Sequence, residues 1–289
     1  MTAEPIARVI NDLHHGRIRH LLADQVVNRV AAERAQATTT VVDATPIYSS
    51  LVAKDRPVDL YGDHPCIAPP WDHAFICYVN EHGNVVAMQL TAEPWPPGLR
   101  WDTPNTIAWD ELRWRLDALV WIGGRSQGAD FPTTGPVHLM QYAVMPDGAP
   151  ADLHYARLVP QYPLEHWDMA QMTLLASLNF LNCRNVEAVE PQRRRPERRR
   201  LARLGVRVHT IVVRPVGRST RPSGAVGLVD SAVPLHSVRG HFAEYGPAYG
   251  KGKLFGKYEG RYWVPGHARG SGDHGEVRKD YILTPGGAP

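Results

Sequence analysis

The sequence has few cysteines, and their spacing fits neither a disulfide framework nor a zinc site. Only Cys66, Cys77 and Cys183 occur in 289 residues, and no two of them form a C-x-x-C pair. An odd number of scattered thiols argues against the disulfide-rich secreted class and against zinc ribbons. We therefore expect a reducing compartment, the cytoplasm, and we predict no metal and no other cofactor.

Long apolar runs are also missing. The longest stretch, Ala118 to Ile122, is far too short to cross a bilayer. Arg8, His14 and Arg17 interrupt the N-terminal segment, which therefore lacks the apolar core of a secretory signal. These two features predict a soluble protein without a membrane partner.

Common nucleotide-binding and nucleophile motifs are absent or incomplete. No G-x-G-x-x-G occurs, and Gly250–Lys253 lacks the spacing and the Ser or Thr of a phosphate-binding P-loop. Gly124–Gly128 spells G-x-S-x-G, but that motif requires a strand before Ser126 and a helix after it. We expect a helix before Ser126 and none beyond Pro132, so a hydrolase nucleophile elbow is disfavoured.

Positive charge is abundant, and it is unevenly distributed. Residues 181–289 contain 20 Lys and Arg against 9 Asp and Glu. The first 180 residues hold the remaining 12 of 32 basic and 20 of 29 acidic side chains. The overall charge of +3 therefore combines an acidic part with a strongly basic part, and such a basic part is typical of a surface that binds polyanions.

Hydrophobic periodicity favours an α+β fold with an N-terminal amphipathic helix, mixed hairpins and helices, and a β-rich basic C-terminal module. The predicted helices cover about 5–35 (bent at Gly16), Trp109 to Trp121 and about 165–182. The first predicted strand is short and begins at Thr38, and the next two, His73–Val79 and Asn84–Leu90, form a hairpin. The remaining predicted strands are Val137–Val144, Asn185–Val189 and Val206–Val213. A Pro/Gly/Ser-rich loop is expected at Pro215–Gly227.

Composition suggests two regions that could also form one continuous domain. An acidic α+β scaffold region is expected over residues 1–165, a basic α+β module over 166–285, and a frayed tail over 286–289. The acidic region could support the basic module or offer a face to a protein partner.

An arginine run dominates the basic module. Arginine suits phosphate because its planar guanidinium donates two parallel hydrogen bonds. The alternative is a solvated basic loop between two strands, without a specific partner. The candidate nucleic-acid contacts in the run are Arg193, Arg194, Arg195, Arg198, Arg199, Arg200, Arg203 and Arg207.

A second cluster combines histidines with further cations and aromatic residues. One neutral imidazole, one protonated imidazole and a cation are the requirements for metal-free phosphodiester cleavage. Phosphate binding without catalysis and a purely structural role are the alternatives, and zinc ligation by His236 and His241 is disfavoured by their five-residue spacing. The candidate catalytic residues are His236, His241, His267, Arg239, Lys257 and Arg269, and the additional candidate contacts are Tyr245, Lys251, Lys253 and Tyr262.

The segment from about Leu178 to Tyr281 resembles a family of uncharacterised proteins encoded by bacteriophages and prophages. The resembling stretches are Leu181-Asn-Cys-Arg-Asn-Val-Glu, the arginine run, Pro234-Leu-His-Ser-Val-Arg-Gly-His-Phe, Leu254-Phe-Gly-Lys, Gly260-Arg-Tyr-Trp-Val-Pro-Gly-His-Ala-Arg-Gly and Lys279-Asp-Tyr. The resemblance covers roughly the C-terminal third and implies a phage context and action in the host cytoplasm, without an established activity. A longer Gly246–Gly252 insertion departs from the family pattern.

Together these features predict a phage-derived cytoplasmic protein that binds nucleic acid, with RNA favoured over DNA. Aromatic residues interleaved with Lys and Arg suit the exposed bases of single-stranded or structured RNA. One alternative is a metal-independent ribonuclease or toxin-like phosphodiesterase. Another is a modulator that binds a host protein complex through its arginines. The sequence leaves the oligomeric state open.

Overall fold

The fold is α+β, as predicted, and centres on an eight-stranded mixed sheet. The computed structural model describes residues 3–20, 25–52, 65–126, 129–159, 164–193, 195–204, 206–214, 234–238, 240–254, 256–264, 267–269 and 271–277. The predicted loop at Pro215–Gly227 and the tail at 286–289 lie outside these residues.

Five α-helices and thirteen strands occur among the described residues. The helices are α1 (Ala3–His14), α2 (Gln25–Ala37), α3 (Thr45–Val52), α4 (Leu164–Leu181) and α5 (Arg195–Leu204). The strands are β1 (Thr40–Asp43), β2 (His73–Val79), β3 (Asn84–Pro94), β4 (Trp114–Ser126), β5 (Ala129–Val144), β6 (Pro150–Arg157), β7 (Val186–Val189), β8 (Arg207–Val213), β9 (Pro234–Val238), β10 (His241–Tyr245), β11 (Gly260–Val264), β12 (His267–Arg269) and β13 (Ser271–Val277).

The large sheet has the strand order β6-β5-β4-β3-β2-β1-β8-β7. Strand β1 is parallel to β2 and to β8, whereas the neighbours from β2 to β6 are antiparallel, as are β7 and β8. Because β8 pairs with β1, the acidic and basic regions share this sheet. Two small sheets follow, β10-β11 and β12-β9-β13.

Helices cover both faces of the large sheet. On β2, Ile76 faces a core cluster that includes α4, while the neighbouring Cys77 faces a second cluster that includes α1. Successive strand residues point to opposite faces, so these clusters lie on opposite sides of the sheet. Helices α1, α2 and α5 contribute to one side, and α3 and α4 contribute to the other.

The N-terminal helix is shorter than predicted, because it ends at a glycine. Gly16 adopts φ of +67°, its N–H donates to the Leu13 carbonyl, and the Arg17 N–H donates to the Asp12 carbonyl. This pair of bonds is a Schellman cap, which terminates a helix instead of bending it. The prediction of one bent helix over about 5–35 is therefore wrong, and α1 and α2 are separate.

The predicted helix from Trp109 to Trp121 is also wrong. A single turn of 3-10 helix at Trp109–Glu111 precedes the long strand β4. Both faces of β4 are covered, since Val120 lies in one core cluster and Trp121 in the other. Apolar residues therefore occupy consecutive positions of the strand. Such a run also contains apolar residues three and four positions apart, which is the spacing expected of one helix face.

Other predicted elements are confirmed. The hairpin of β2 and β3 pairs Val79 with Val85, β5 contains the predicted strand Val137–Val144, and α4 matches the predicted helix over 165–182. Strands β1, β7 and β8 are found where they were expected. Ser126 pairs with Ala129 on the returning strand, so the strand–helix geometry of a nucleophile elbow does not form.

A partly buried ionic network ties α2 to the large sheet. The Arg115 guanidinium lies 2.7 Å from Glu93 and 3.4 Å from Asp117, and Arg34 on α2 lies 3.4 Å from Glu93. Gln141 donates to Asp117 at 2.9 Å. Burial nevertheless raises the pKa of the Asp117 carboxyl, because the lost hydration outweighs these favourable contacts.

Candidate functional site

The arginine run forms a helix, α5, rather than the loop that the sequence suggested. Pro196 and Glu197 lie in its first turn, where proline is tolerated and a carboxylate favours the helix dipole. Leu201 is 5% exposed and lies in the core cluster on the α1 side of the sheet. The apolar side of α5 therefore docks on the sheet and leaves its other side to solvent.

Exposed arginines cover the outer side of α5. We call Arg195, Arg198, Arg199, Arg203 and Arg207 the arginine face; the first four lie on α5 and the last begins β8. The helical members are spaced three and four residues apart, so they share one side of the helix. All five are exposed, and none forms an ion pair with a carboxylate among the described residues.

Arg193 has a different role from the arginine face. Its side chain is only 9% exposed, it donates to the Val208 carbonyl at 2.9 Å, and its Nε lies 3.4 Å from Glu197. These contacts fix the segment before α5 against β8, so Arg193 stabilises the fold. Arg194 and the side chain of Arg200 lie outside the described structure.

An open cleft of about 770 Å³ lies beside the arginine face. Arg198 and Arg207 contribute to its walls together with Gln192 and Glu190. Two guanidinium groups and an amide could bind a phosphate group by charge-assisted hydrogen bonds. The Glu190 carboxylate at the same cleft would repel an anion that approached it closely.

No ion pair among the described residues joins the acidic region to the basic region. In the basic region the ion pairs are Arg193–Glu197, Arg214–Glu187, Lys253–Glu259 and Arg261–Glu244. The ion pairs of the acidic region join Arg8, Arg17, Arg29, Arg34 and Arg115 to carboxylates of that same region. The positive charge of the arginine face therefore remains available to a partner.

The β10-β11 hairpin is anchored to α4 and to the start of β7. Phe242 and Trp263 contact Phe180, with ring centroids 5.2 and 4.6 Å away. Asn185 accepts from the Trp263 N–H at 2.9 Å and donates to the Trp263 carbonyl at 2.8 Å. Because these contacts are buried, they hold the hairpin in a fixed position.

Of the two tyrosines predicted to stack on bases, Tyr262 lacks an open ring face. It is 5% exposed, and its hydroxyl donates to the Glu259 carbonyl at 3.2 Å. Tyr245 is half-buried, with its ring 6.1 Å from that of Tyr262 in an edge-on arrangement. Tyr262 therefore belongs to the hairpin scaffold, and its predicted contact with nucleic acid stays a prediction.

The lysines near the hairpin differ in their contacts. Lys253 pairs with Glu259 at 2.6 Å, and the Lys257 ammonium lies 5.3 Å from the ring centroid of Tyr258. Lys251 is exposed and has no ion pair among the described residues. Lys251 and Lys257 can thus meet an external anion without first leaving a described carboxylate.

The histidines of the second cluster lie in two different small sheets. His241 is exposed at the start of β10, opposite Val264. In the other sheet, His236 is the register partner of Arg269, while His267 is the partner of Val238. Arg239 and the side chains of His236, His267 and Arg269 lie outside the description, so a convergent catalytic group remains a prediction.

Helix α5, with its four arginines of the arginine face, and the hairpin lie on opposite sides of the large sheet. On β8, Val208 faces the core cluster that includes α5, whereas Ile211 and Val213 face the cluster that includes Phe242. Strand alternation places these two sets on opposite faces. The arginines of α5 and the lysines of the hairpin connection therefore belong to elements on different sides of the sheet, whose edge strand at this end is β7.

Two further features bear on chemistry near the hairpin. Burial raises the pKa of the Cys183 thiol to about 12, despite the neighbouring Arg261. Cys183 is therefore protonated at neutral pH and is a poor nucleophile. No group of three or more His, Cys, Asp or Glu side chains in the described structure is arranged to hold a metal ion.

Tyr249 is a candidate contact that was not among those predicted from the sequence. It is 47% exposed, in the connection between β10 and β11. The signal that could have identified it is its place in Gly246-Pro-Ala-Tyr-Gly-Lys-Gly, an aromatic residue among glycines beside a lysine. Such a segment cannot bury a large ring within itself.

Comparison of the chain with protein-family models, with curated protein sequences and with solved structures gave no match. None of the described helices combines the length and the apolar character needed to cross a bilayer. The function must therefore be argued from the surfaces above.

Proposed function

We propose that the protein binds nucleic acid, RNA in preference to DNA, through the arginine face. The observation that carries this proposal is the exposure of five arginines, four of them on one side of α5, that form no ion pair with a described carboxylate. A row of like charges on one helix side is unfavourable in the free protein, and the phosphates of a nucleic acid relieve that repulsion.

RNA is favoured because aromatic side chains accompany the cations on the hairpin. Tyr249 is exposed, Tyr245 is half-buried, and Lys251 is exposed near both along the chain. Unstacked bases of single-stranded RNA stack on such rings, whereas the bases of a DNA duplex are already stacked. The resemblance to phage and prophage proteins suggests the host cytoplasm as the place of action, and this remains part of the proposal.

The test compares two triple variants that lose the same charge. The first carries Arg198→Gln, Arg199→Gln and Arg203→Gln in the arginine face. The control carries Arg8→Gln, Arg29→Gln and Arg214→Gln, which change exposed arginines paired with Glu4, Glu33 and Glu187. Fluorescence anisotropy would measure binding to labelled single-stranded RNA, duplex RNA and duplex DNA.

Loss of three phosphate contacts should weaken single-stranded RNA binding about 100-fold at about 0.1 M salt. The control should bind within a few-fold of the wild type. Equal affinities for the two variants would contradict the proposal, as would wild-type protein that binds none of the three nucleic acids. Tighter binding of duplex DNA than of RNA would retain the arginine face and overturn the preference.

Metal-independent RNA cleavage is a second candidate, favoured by the register of β9 and β12. That register sets Arg269 directly opposite His236, which brings together the backbones of a residue that can transfer a proton and one that can stabilise phosphate charge. The expected result is cleavage of labelled RNA that EDTA does not inhibit and that His236→Ala abolishes while binding persists. Intact RNA after incubation with wild-type protein would refute this candidate.

A further inference from the structure

The loop between β10 and β11 is held in shape by its own backbone. We call residues 246–259 the lysine loop. Gly246 and Lys251 exchange two backbone hydrogen bonds, of 3.2 and 3.3 Å, and Leu254 and Tyr258 exchange two more, of 2.7 and 3.0 Å. Together with the buried anchor of the hairpin, these bonds reduce the ordering cost of binding a ligand at the loop.

Tyr249 lies on the exposed part of this loop. It ends a short 3-10 turn, Pro247–Tyr249, and the following Gly250 adopts φ of +62° with no atom within 4 Å of where a Cβ would lie. Among the described large hydrophobic side chains, Tyr249 has the greatest exposure, at 47%, and is the only exposed aromatic residue. Nearly half of the Tyr249 side chain is therefore open to a partner from solution.

Three lysines follow Tyr249 within eight residues of the chain. The loop carries Lys251, Lys253 and Lys257 against the single carboxylate of Glu259, which pairs with Lys253. Lys251 is two residues from Tyr249, and both Lys251 and Lys257 are exposed. Proteins that bind single-stranded nucleic acid combine aromatic side chains, which stack on bases, with cations that contact the neighbouring phosphates.

An exposed arginine lies at the base of the loop. The Arg184 N–H donates to the Arg261 carbonyl at 2.9 Å, and the Arg184 side chain lies directly against Gly260 at the start of β11. Arg184 follows α4 and precedes the edge strand β7. It therefore adds positive charge on the route from the lysine loop to the sheet edge.

We infer that the lysine loop is a second nucleic-acid contact, in which Tyr249 stacks on a base of single-stranded RNA while Lys251 and Lys257 contact adjacent phosphates. This inference rests on the proposed function and extends it. An RNA strand that engages both α5 and the lysine loop would pass around the β7 edge, because α5 and the hairpin pack on opposite sides of the sheet.

The test separates stacking from charge. Tyr249→Ala removes the ring, and Tyr249→Phe, the matched control, keeps the ring without its hydroxyl. Tyr249→Ala should weaken binding of single-stranded RNA about 5- to 150-fold, whereas Tyr249→Phe should bind like the wild type. The salt dependence should not change in either variant, because stacking releases no counterions.

An abasic oligonucleotide with the same backbone makes the test specific. Wild type and Tyr249→Ala should bind it equally, since no base is present to stack. Wild-type protein that binds RNA while Tyr249→Ala binds equally well would overturn this inference and leave the arginine face in place. A loss that persists with the abasic strand would also overturn it, and wild-type protein that binds no RNA would overturn both proposals.

Discussion

Repulsion between the arginines of α5 should lower the stability of the protein in the absence of any ligand. Arg199 lies four residues from Arg195 and four from Arg203, on the exposed side of the helix. Like charges at this spacing destabilise a helix by about 0.2–0.5 kcal/mol per pair. Gln and Arg have similar helix propensities, so Arg199→Gln changes mainly the charge. The variant should be more stable by about 0.4–1 kcal/mol.

Urea unfolding at low and high ionic strength measures this effect. The gain should be largest near 0.02 M salt and should shrink by about 0.5 M, because counterions screen exposed charges. Arg214→Gln is the control, since Arg214 is also exposed but lies 2.8 Å from Glu187. It should leave stability unchanged or lower it by up to about 1 kcal/mol.

The free energy of unfolding of Arg199→Gln, and its salt dependence, show whether the arginines of α5 repel one another in the free protein. A variant that is less stable than the wild type, or a gain that does not depend on salt, would refute the reasoning. The same substitution should weaken RNA binding, so stability and affinity should change in opposite directions. That opposition is typical of a surface whose charges serve a partner.

Three further predictions concern the scaffold. Burial raises the pKa of Asp117 above its ordinary 3.8, so the unfolded chain releases this proton at a lower pH than the folded protein does. The wild type should therefore lose stability relative to Asp117→Asn as the pH rises from about 4, which urea unfolding between about pH 3 and 6 would measure. A stability difference that does not depend on pH would contradict this prediction. Asn185→Ala removes two buried hydrogen bonds to the Trp263 backbone and should cost about 1–3 kcal/mol, with faster proteolysis of the β10-β11 hairpin; unchanged proteolysis would show that the hairpin is held elsewhere. Cys183 should resist iodoacetamide at pH 7 until urea unfolds the protein, because its pKa is raised to about 12, and rapid labelling of the native protein, detected by mass spectrometry, would refute the burial argument.

Local sequence patterns predicted the helices and strands whose apolar spacing and turn residues indicated one type of element only. The β2-β3 hairpin has apolar runs separated by Asn80–Gly83, and α4 has apolar residues at helical spacing. Strand β4 was misread because both of its faces are buried, which removes the alternation expected of a half-exposed strand. The end of α1 depended on the conformation of Gly16, and that conformation is only visible once the cap has formed.

For the candidate site too, the sequence predicted the region but not the roles of its individual residues. Composition identified the basic region and its suitability for phosphate, but it could not rank residues of the same type. Arg193 and Arg198 are five positions apart in one run, yet the first is held by Val208 and Glu197 while the second is exposed beside a cleft. Tyr262 and Tyr249 differ in the same way, because strand packing buries one and a glycine-rich loop exposes the other.

The central claim is that the arginine face exchanges counterions for the phosphates of RNA. The direct measurement is the slope of log K against log salt concentration for single-stranded RNA, for the wild type and for the Arg198, Arg199 and Arg203 triple Gln variant. Loss of three phosphate contacts should reduce the magnitude of the slope by about 2. A variant with the wild-type slope would show that these arginines do not contact the nucleic acid.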